Sequence, residues 1–200
     1  FKLRGRFNGS LPVEERLQAL TLDLDVSAGA QHIEVRRAQL QAGATRASVQ
    51  GHATRVRPDG ADWRIDAKAE LDDVDPAQWW AGPDGSAWRQ GPHRIDATLT
   101  VDGLLPRTSA GTPLQLLARA QGRAELRIAE GSVLGGQPLA GALALRGAAA
   151  GSSAEVEGSL AVAGSALTLR GRLAADAADH WEISARGADI APWSVLAGLT

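Results

Sequence analysis

Apolar and polar residues alternate along most of this chain. Between Leu20 and Val26, aliphatic residues occupy every second position and Thr or Asp residues stand between them. The same period of two recurs at residues 33–35, 47–49, 63–71, 95–101, 126–128, 143–145, 160–162, 167–169 and 181–183. Such alternation gives a β-strand one aliphatic and one polar face, which is typical of antiparallel sheets. We therefore predict a mainly β fold, a long curved antiparallel β-sheet that forms a groove.

Turn and helix signals interrupt the strands at a few places. Arg57–Gly60 reads Arg-Pro-Asp-Gly between two alternating runs and predicts a hairpin connection. Asp75 followed by Pro76 predicts a capped helical turn, and the Ala-Pro-Trp sequence that starts at Ala191 looks like a second copy of it. Thr112–Ala118 is compatible with a helix or with a loop folded onto the apolar face. The sheet should therefore carry one to three short helices.

Part of the chain is repeated at an almost constant offset. The matched pairs are Gly43 with Gly164 (164 − 43 = 121), Gly51 with Gly171 (171 − 51 = 120) and Trp63 with Trp181 (181 − 63 = 118). A repeated unit exposes an apolar face that its neighbours or a ligand must cover. We predict two β-groove units, residues 1–106 and 107–200. Because Phe1 opens directly into a strand-like segment and the sequence has no Met, we expect a continuous piece of a longer chain.

Composition excludes several classes of function. The 21 Lys and Arg against 23 Asp and Glu give a net charge of −2, so no charge excess favours nucleic acid. The absence of Cys removes disulfides, thiolate zinc sites and cysteine nucleophiles. The four histidines, His32, His52, His93 and His180, do not follow metal-ligand spacing. No serine has the context of a nucleophile. We therefore expect no metal, no cofactor and no enzymatic activity.

The sequence is compatible with two interpretations of the aliphatic face. In the first, the face lines an open groove and is covered by lipid acyl chains or by an apolar polypeptide strand. In the second, the sheet closes into a structural, carbohydrate-binding or protein-binding β-sandwich and the face is ordinary core; Trp79, Trp80 and Trp88 could then form an exposed platform. The residues predicted to line a groove are Leu22, Leu24, Ile65, Leu71, Leu99, Val101, Leu126, Leu143, Leu145, Val162, Leu169 and Ile183.

Several segments resemble the recurring unit of TamB-like proteins in the wider AsmA-like group. Residues 122–128 and 131–141 match a strand followed by a Gly-x-Pro-Leu turn, here Gly-Gln-Pro-Leu. The strand pair within residues 158–171 and the segment 181–190, which closes on Ala-Asp-Ile, match the rest of the unit. The first copy has Leu11–Arg16 in place of the turn, so its match is clearest after that point.

The resemblance implies a protein anchored in the inner membrane of a Gram-negative bacterium that crosses the periplasm as a groove with an apolar interior (a β-taco). It implies roles in phospholipid transport between membranes and in outer-membrane protein assembly. The implied partners are phospholipid, a TamA-like outer-membrane barrel protein of the BamA-like class, and nascent outer-membrane proteins. No run reaches the ~18 apolar residues of a spanning helix, so the anchor is expected outside these residues.

Overall fold

The structure, a computed structural model, describes residues 1–13, 16–57, 62–79, 91–105, 113–148, 152–174 and 178–187. The eleven strands are β1 (Lys2–Val13), β2 (Arg16–Ala28), β3 (His32–Ala42), β4 (Thr45–Arg55), β5 (Trp63–Val74), β6 (Ile95–Leu105), β7 (Gln121–Leu134), β8 (Gln137–Gly147), β9 (Ser153–Val162), β10 (Ser165–Ala174) and β11 (His180–Arg186). A 3-10 turn at Pro76–Gln78 follows β5, and the helix α1 (Pro113–Arg119) precedes β7.

The strands form one antiparallel meander. Each strand pairs with its neighbours in sequence, in the order β1 to β11, and β1 and β11 are the two edges. The sheet is therefore open, as the predicted groove requires, and it is not a closed barrel. It also runs across the predicted boundary at residues 106 and 107, because β6 pairs with β7 over eight residue pairs from Ala97–Ile128 to Leu104–Gln121.

Two of the three short helical segments lie in the described part of the chain. Asp75 caps the 3-10 turn, and its Oδ1 accepts a hydrogen bond from the Ala77 N–H at 3.0 Å. α1 is a helix rather than a loop and begins at Pro113, where the missing N–H of proline costs no hydrogen bond. The segment that begins at Ala191 lies outside the described residues.

Short turns fix the register of the hairpins. The β7–β8 turn has φ values of 57° at Gly135 and 77° at Gly136, and the β9–β10 turn has 50° at Ala163 and 79° at Gly164. Positive φ at both central residues is the geometry of a type I′ turn, whose twist matches that of the flanking strands. Gly43, with φ 61°, is the first residue of the two-residue β3–β4 turn, whereas Gly164 is the second residue of the β9–β10 turn, so the matched glycines lie in corresponding hairpins but not at the same turn position.

The matched tryptophans are less equivalent than the constant offset suggests. Trp181 pairs with Gly171 across β10 and β11, whereas Trp63 pairs with Arg55, four residues beyond the matched glycine Gly51. Trp63 and Trp181 both stand at the start of a strand, but they differ by four residues in register. The repeat therefore preserves the hairpins and the alternation, and it does not preserve the position of each aromatic side chain.

Few apolar side chains of the described residues are fully buried. One cluster lies beneath α1, where Ala118 contacts Ala154, Val156 and Leu173. A second group lies where the hairpins turn, at Ala42, Leu139 and Val162. Buried hydroxyl groups accompany this rim: Thr45 Oγ1 donates to the Asp73 carbonyl at 3.1 Å, and Ser132 Oγ accepts from the Asp96 N–H at 3.0 Å. The larger part of the apolar surface is therefore not ordinary core.

Candidate functional site

Cross-strand pairing places the apolar residues of all eleven strands in continuous rows on one face. The first row is Phe7, Leu22, Leu40, Ala47, Leu71, Ala97, Ile128, Gly141, Leu160, Leu167 and Ala185. The second is Gly5, Leu24, Ala38, Val49, Ala69, Leu99, Leu126, Leu143, Gly158, Leu169 and Ile183. The third is Leu3, Val26, Val35, Gly51, Ala67, Val101, Ala124, Leu145, Val156, Gly171 and Trp181. We call this surface the apolar face; apart from the indole N–H of the last residue, its three rows contain no polar side-chain group.

Register irregularities preserve the rows. In β3, Val35 and Ala38 both face the apolar side because the ladder with β4 shifts between them. A bulge adds residues to one strand without reversing the faces beyond it. A second shift between Leu71 and Val74 of β5 ends the alternation at the rim, where the chain leaves the sheet. The apolar face therefore stays continuous although the strands differ in length.

Eleven of the twelve residues predicted to line a groove lie on the apolar face. Ten stand in the three rows, and Ile65 stands in the next row, between Ala53 and Gly103. Val162 does not belong to the open surface: it is 1% exposed at the end of β9, between Leu139 and Ser165. Several other residues of the rows were not in the predicted set, among them Phe7, Leu160 and Leu167. In β1, Gly5 and Gly9 stand two positions before and after Phe7, and they hide the alternation of apolar residues. Leu160 and Leu167, in contrast, belong to alternating runs that the sequence does show.

Much of the apolar face is exposed. The exposed fraction is 38% for Leu99 and 41% for Leu143 near the middle of the sheet, and it reaches 65% for Ile183 at the β11 edge. A contiguous exposed apolar surface indicates an interaction site. The closed core of a β-sandwich would have buried these three side chains. The described residues do not have such a core.

A cavity of about 170 Å³ indents the apolar face over β7–β10. Its wall consists almost entirely of aliphatic side chains: Leu126, Ile128, Leu143, Leu160, Leu167 and Leu169. Gly158 lies among them and contributes no side chain, which deepens the surface between Leu143 and Leu169. The cavity can accept an apolar group, and among the described residues that line it only Ser159 has a polar side chain.

α1 shows that the apolar face accepts an apolar cover. The helix packs against β8, β9 and β10. Its residue Ala118 is 1% exposed and contacts the face at Val156 and Leu173, whereas Leu117 remains 41% exposed. A seven-residue helix is too short to be stable alone, so its contacts with the sheet must stabilise it. α1 covers the part of the face next to the cavity, because Leu169 borders both.

The opposite face is polar and carries ion pairs between neighbouring strands. Arg6 contacts Asp23 at 3.3 Å and Arg4 contacts Asp25 at 3.7 Å across β1 and β2. Within β7, hydrogen bonding by Arg127 holds the pKa of the Glu125 carboxyl below its usual value of 4.5, with some opposition from desolvation, and the charge of Arg123 also lowers it. These side chains keep the outer face hydrated, so the two faces have sharply different chemistry.

The lowered pKa of Glu125 predicts a dependence of stability on pH. A carboxyl whose pKa is lower in the folded state stabilises that state above its unfolded pKa, and this contribution disappears as the pH falls through the folded value. We expect stability to decrease as the pH falls below about 4.5, and Glu125→Gln to reduce that decrease by a small amount. Urea unfolding at a series of pH values measures both; an unchanged pH dependence in Glu125→Gln would contradict the assignment.

The remaining polar candidates have structural roles. Among the described residues, no three His, Cys, Asp or Glu side chains are placed to hold a metal ion. His93 Nδ1 accepts a hydrogen bond from the Gly135 N–H at 3.0 Å. The Asp73 N–H donates to Asp96 Oδ1, and Asp75 caps its turn. No helix in the described part of the chain is long and apolar enough to cross a membrane. Trp80 and Trp88 lie outside the described residues.

We found no match between this chain and any protein-family model, any curated protein or any solved structure. The resemblance to TamB-like proteins therefore stays a prediction, and the apolar face is the feature from which a function can be inferred.

Proposed function

We propose that this chain is a segment of a β-groove that shields phospholipid acyl chains from water during transport between membranes. The observation that carries the proposal is the apolar face itself, which runs without a charged side chain across eleven strands and is exposed at Leu99 and Leu143. Its opposite face is polar and ion-paired, as expected for a wall between an apolar interior and water.

The proposed mechanism is passive. Removing an acyl chain from water contributes about 0.8 kcal/mol per CH₂ group, so a continuous apolar surface lowers the barrier for a lipid that crosses an aqueous gap. A path of uniform character also has no single position at which the lipid is trapped. The three apolar rows provide such a path from β1 to β11, and no titratable side chain interrupts it.

The width of the apolar face suits one acyl chain. Along β5 the face extends over the six residue steps from Ile65 to Leu71, which is about 20 Å at ~3.3 Å per step. Half of a bilayer's hydrocarbon core is about 15 Å thick. A lipid can therefore lie with its acyl chain along the strands and its headgroup at one rim of the sheet. Successive lipids would occupy successive strands.

The TamB-like resemblance supplies the proposed cellular setting. In this proposal the segment lies in the periplasm of a Gram-negative bacterium, as part of an inner-membrane-anchored protein that acts with a TamA-like outer-membrane barrel. A second role, assistance to nascent outer-membrane proteins, is favoured by the edges: β1 and β11 each pair with one neighbour in the described structure. An edge strand with free backbone groups can receive an extended strand by β-addition.

Native mass spectrometry tests the lipid role. We expect the chain, expressed in a Gram-negative periplasm and purified without detergent, to carry phospholipid. After delipidation it should take up phospholipid again from donor vesicles. A delipidated protein that keeps its circular dichroism spectrum but takes up no lipid would contradict the proposal. Binding of an unfolded outer-membrane strand peptide at the sheet edge, in the absence of lipid uptake, would favour the second role instead.

A further inference from the structure

We propose that Arg55 and Trp63 form a phosphate-binding end of the groove, where a phospholipid headgroup sits while its acyl chain lies along β4 and β5. This inference rests on the proposed function and adds the position and chemistry of headgroup recognition.

Arg55 lies on the same side of the sheet as the apolar face, beyond its three rows, although it is charged. β4 presents Ala47, Val49, Gly51 and Ala53 to this face at every second position, and Arg55 is the next residue in that series. Trp63, the first residue of β5, lies directly opposite Arg55. The pair therefore marks the point where the apolar rows of β4 and β5 end and the connection between these two strands begins.

The Arg55 guanidinium has no acceptor in the described structure. Its Nε is buried and makes no hydrogen bond, and no ion pair of Arg55 is found among the described residues. The other Arg and Lys residues of β4 and β5 are all paired: Arg46 with Asp73, Arg64 with Asp102 and Lys68 with Glu70. A buried donor without an acceptor is unfavourable, and a bound anion would satisfy it.

Trp63 orients the guanidinium for such an anion. The Arg55 Cζ lies 5.3 Å from the centroid of the indole ring, within the range of a cation–π interaction. A guanidinium held against a ring keeps its edge N–H groups free, and these match two oxygens of a phosphate. Trp also suits a boundary between apolar and aqueous surroundings. The pair combines hydrogen-bond donors for a phosphate group with an aromatic ring that suits an interface.

Next to this pair, the apolar side of β4 and β5 carries many small side chains and forms a shallow furrow. Gly51 lies opposite Ala67, and each of the other three opposite pairs contains one alanine: Ala53 with Ile65, Val49 with Ala69, and Ala47 with Leu71. Larger side chains stand on either side, including Leu40 and Val35 on β3 and Leu99 and Val101 on β6. This furrow, together with a cation at one end, fits a molecule that has a phosphate at one end and an alkyl chain behind it.

The second unit does not repeat the cation. The residue four positions after Gly171 is Ala175, whereas Arg55 is four positions after Gly51. The alternating apolar positions are shared between the units and the arginine is not, so Arg55 is not required by the repeated strand pattern.

Short-chain lipids test the inference. Binding of dioctanoyl phosphatidylglycerol, dioctanoylglycerol and inorganic phosphate to the delipidated chain is measured by isothermal titration calorimetry below micellar concentrations. We expect phosphatidylglycerol to bind more tightly than dioctanoylglycerol. Arg55→Gln should reduce the affinity for phosphatidylglycerol about tenfold and leave the affinity for dioctanoylglycerol unchanged. Arg55→Lys should retain part of the affinity. The matched control is Arg64→Gln, which removes a neighbouring arginine from the polar face and should change neither affinity.

The other outcomes separate this inference from the proposed function. If neither lipid binds to the folded wild-type chain, both are overturned. If both lipids bind and Arg55→Gln leaves the affinity for phosphatidylglycerol unchanged, the headgroup site is overturned and the proposed lipid-binding groove remains supported. Equal weakening of both lipids would assign Arg55 a structural role only. Binding of inorganic phosphate as tightly as phosphatidylglycerol would overturn the assignment to a lipid headgroup.

Discussion

Replacement of Leu143 by glutamate is expected to abolish phospholipid binding while the sheet remains folded. Leu143 lies in the second apolar row, borders the cavity and is 41% exposed. An acyl chain laid over the new carboxylate would have to strip water from a charge that has no partner there, which is far more costly than losing one aliphatic contact. We expect phospholipid affinity to fall by at least about 100-fold, measured as lipid bound per protein by native mass spectrometry.

The control for this prediction lies one residue away. Ala142 is the neighbour of Leu143 on the opposite face, is exposed and pairs with Arg127 of β7. Ala142→Glu introduces the same charge into the same strand on the hydrated side. It should leave lipid binding and stability nearly unchanged. Equal loss of lipid in Ala142→Glu and Leu143→Glu would mean that the charge acts through the fold, and the apolar face would lose its support as the binding surface.

The choice between Leu143 and Leu145 shows what the structure adds to the sequence. Both residues belong to the same alternating run of β8, and the sequence alone treats them alike. In the structure, Leu145 packs against the buried cluster beneath α1. A glutamate in place of Leu145 would therefore disturb packing as well as the open face. Only the position of α1 distinguishes the two residues, and no local pattern announces where a short helix will dock.

The strands and their apolar side were predictable because a strand has a strict period of two. Leu99 and Leu126 alternate with polar neighbours, so their face is fixed as soon as their segments form strands. The order of most strands also follows from short turns, since adjacent antiparallel strands need only a few residues between them. The pairing of β6 with β5 and with β7 does not follow from this rule, because residues 75–94 and 106–120 separate these strands. The open sheet was not decided by these patterns, because a barrel or sandwich uses the same alternation.

Features that depend on where strands end were not predictable from the sequence. Arg55 interrupts the apolar series of β4, and its role depends on the cross-strand partner Trp63, which only the register reveals. The constant offset between the two units had matched Trp63 with Trp181. Because the ladders place these two residues four positions apart, the offset alone could not identify the pair of Arg55 and Trp63.

Val162 provides the prediction with the largest expected effect on stability. Val162→Asp places a carboxylate at a site that is 1% exposed, between Leu139 and Ser165. It removes about 1.5–3 kcal/mol of valine burial and adds the desolvation of the acid. The free energy of unfolding, measured by urea titration, should therefore fall by at least about 4 kcal/mol.

The matched control for Val162 is the adjacent exposed residue of β9. Ala161→Asp should change the free energy of unfolding by less than about 0.5 kcal/mol, and a similarly small effect of Val162→Asp would show that this rim is open to water. Ala42 occupies the matching position at the end of β3 and is 0% exposed, so the rim is closed in both units. A large loss of stability in Val162→Asp would therefore support an apolar face that is bounded at these hairpins. Lipid would then reach the face from elsewhere along the sheet.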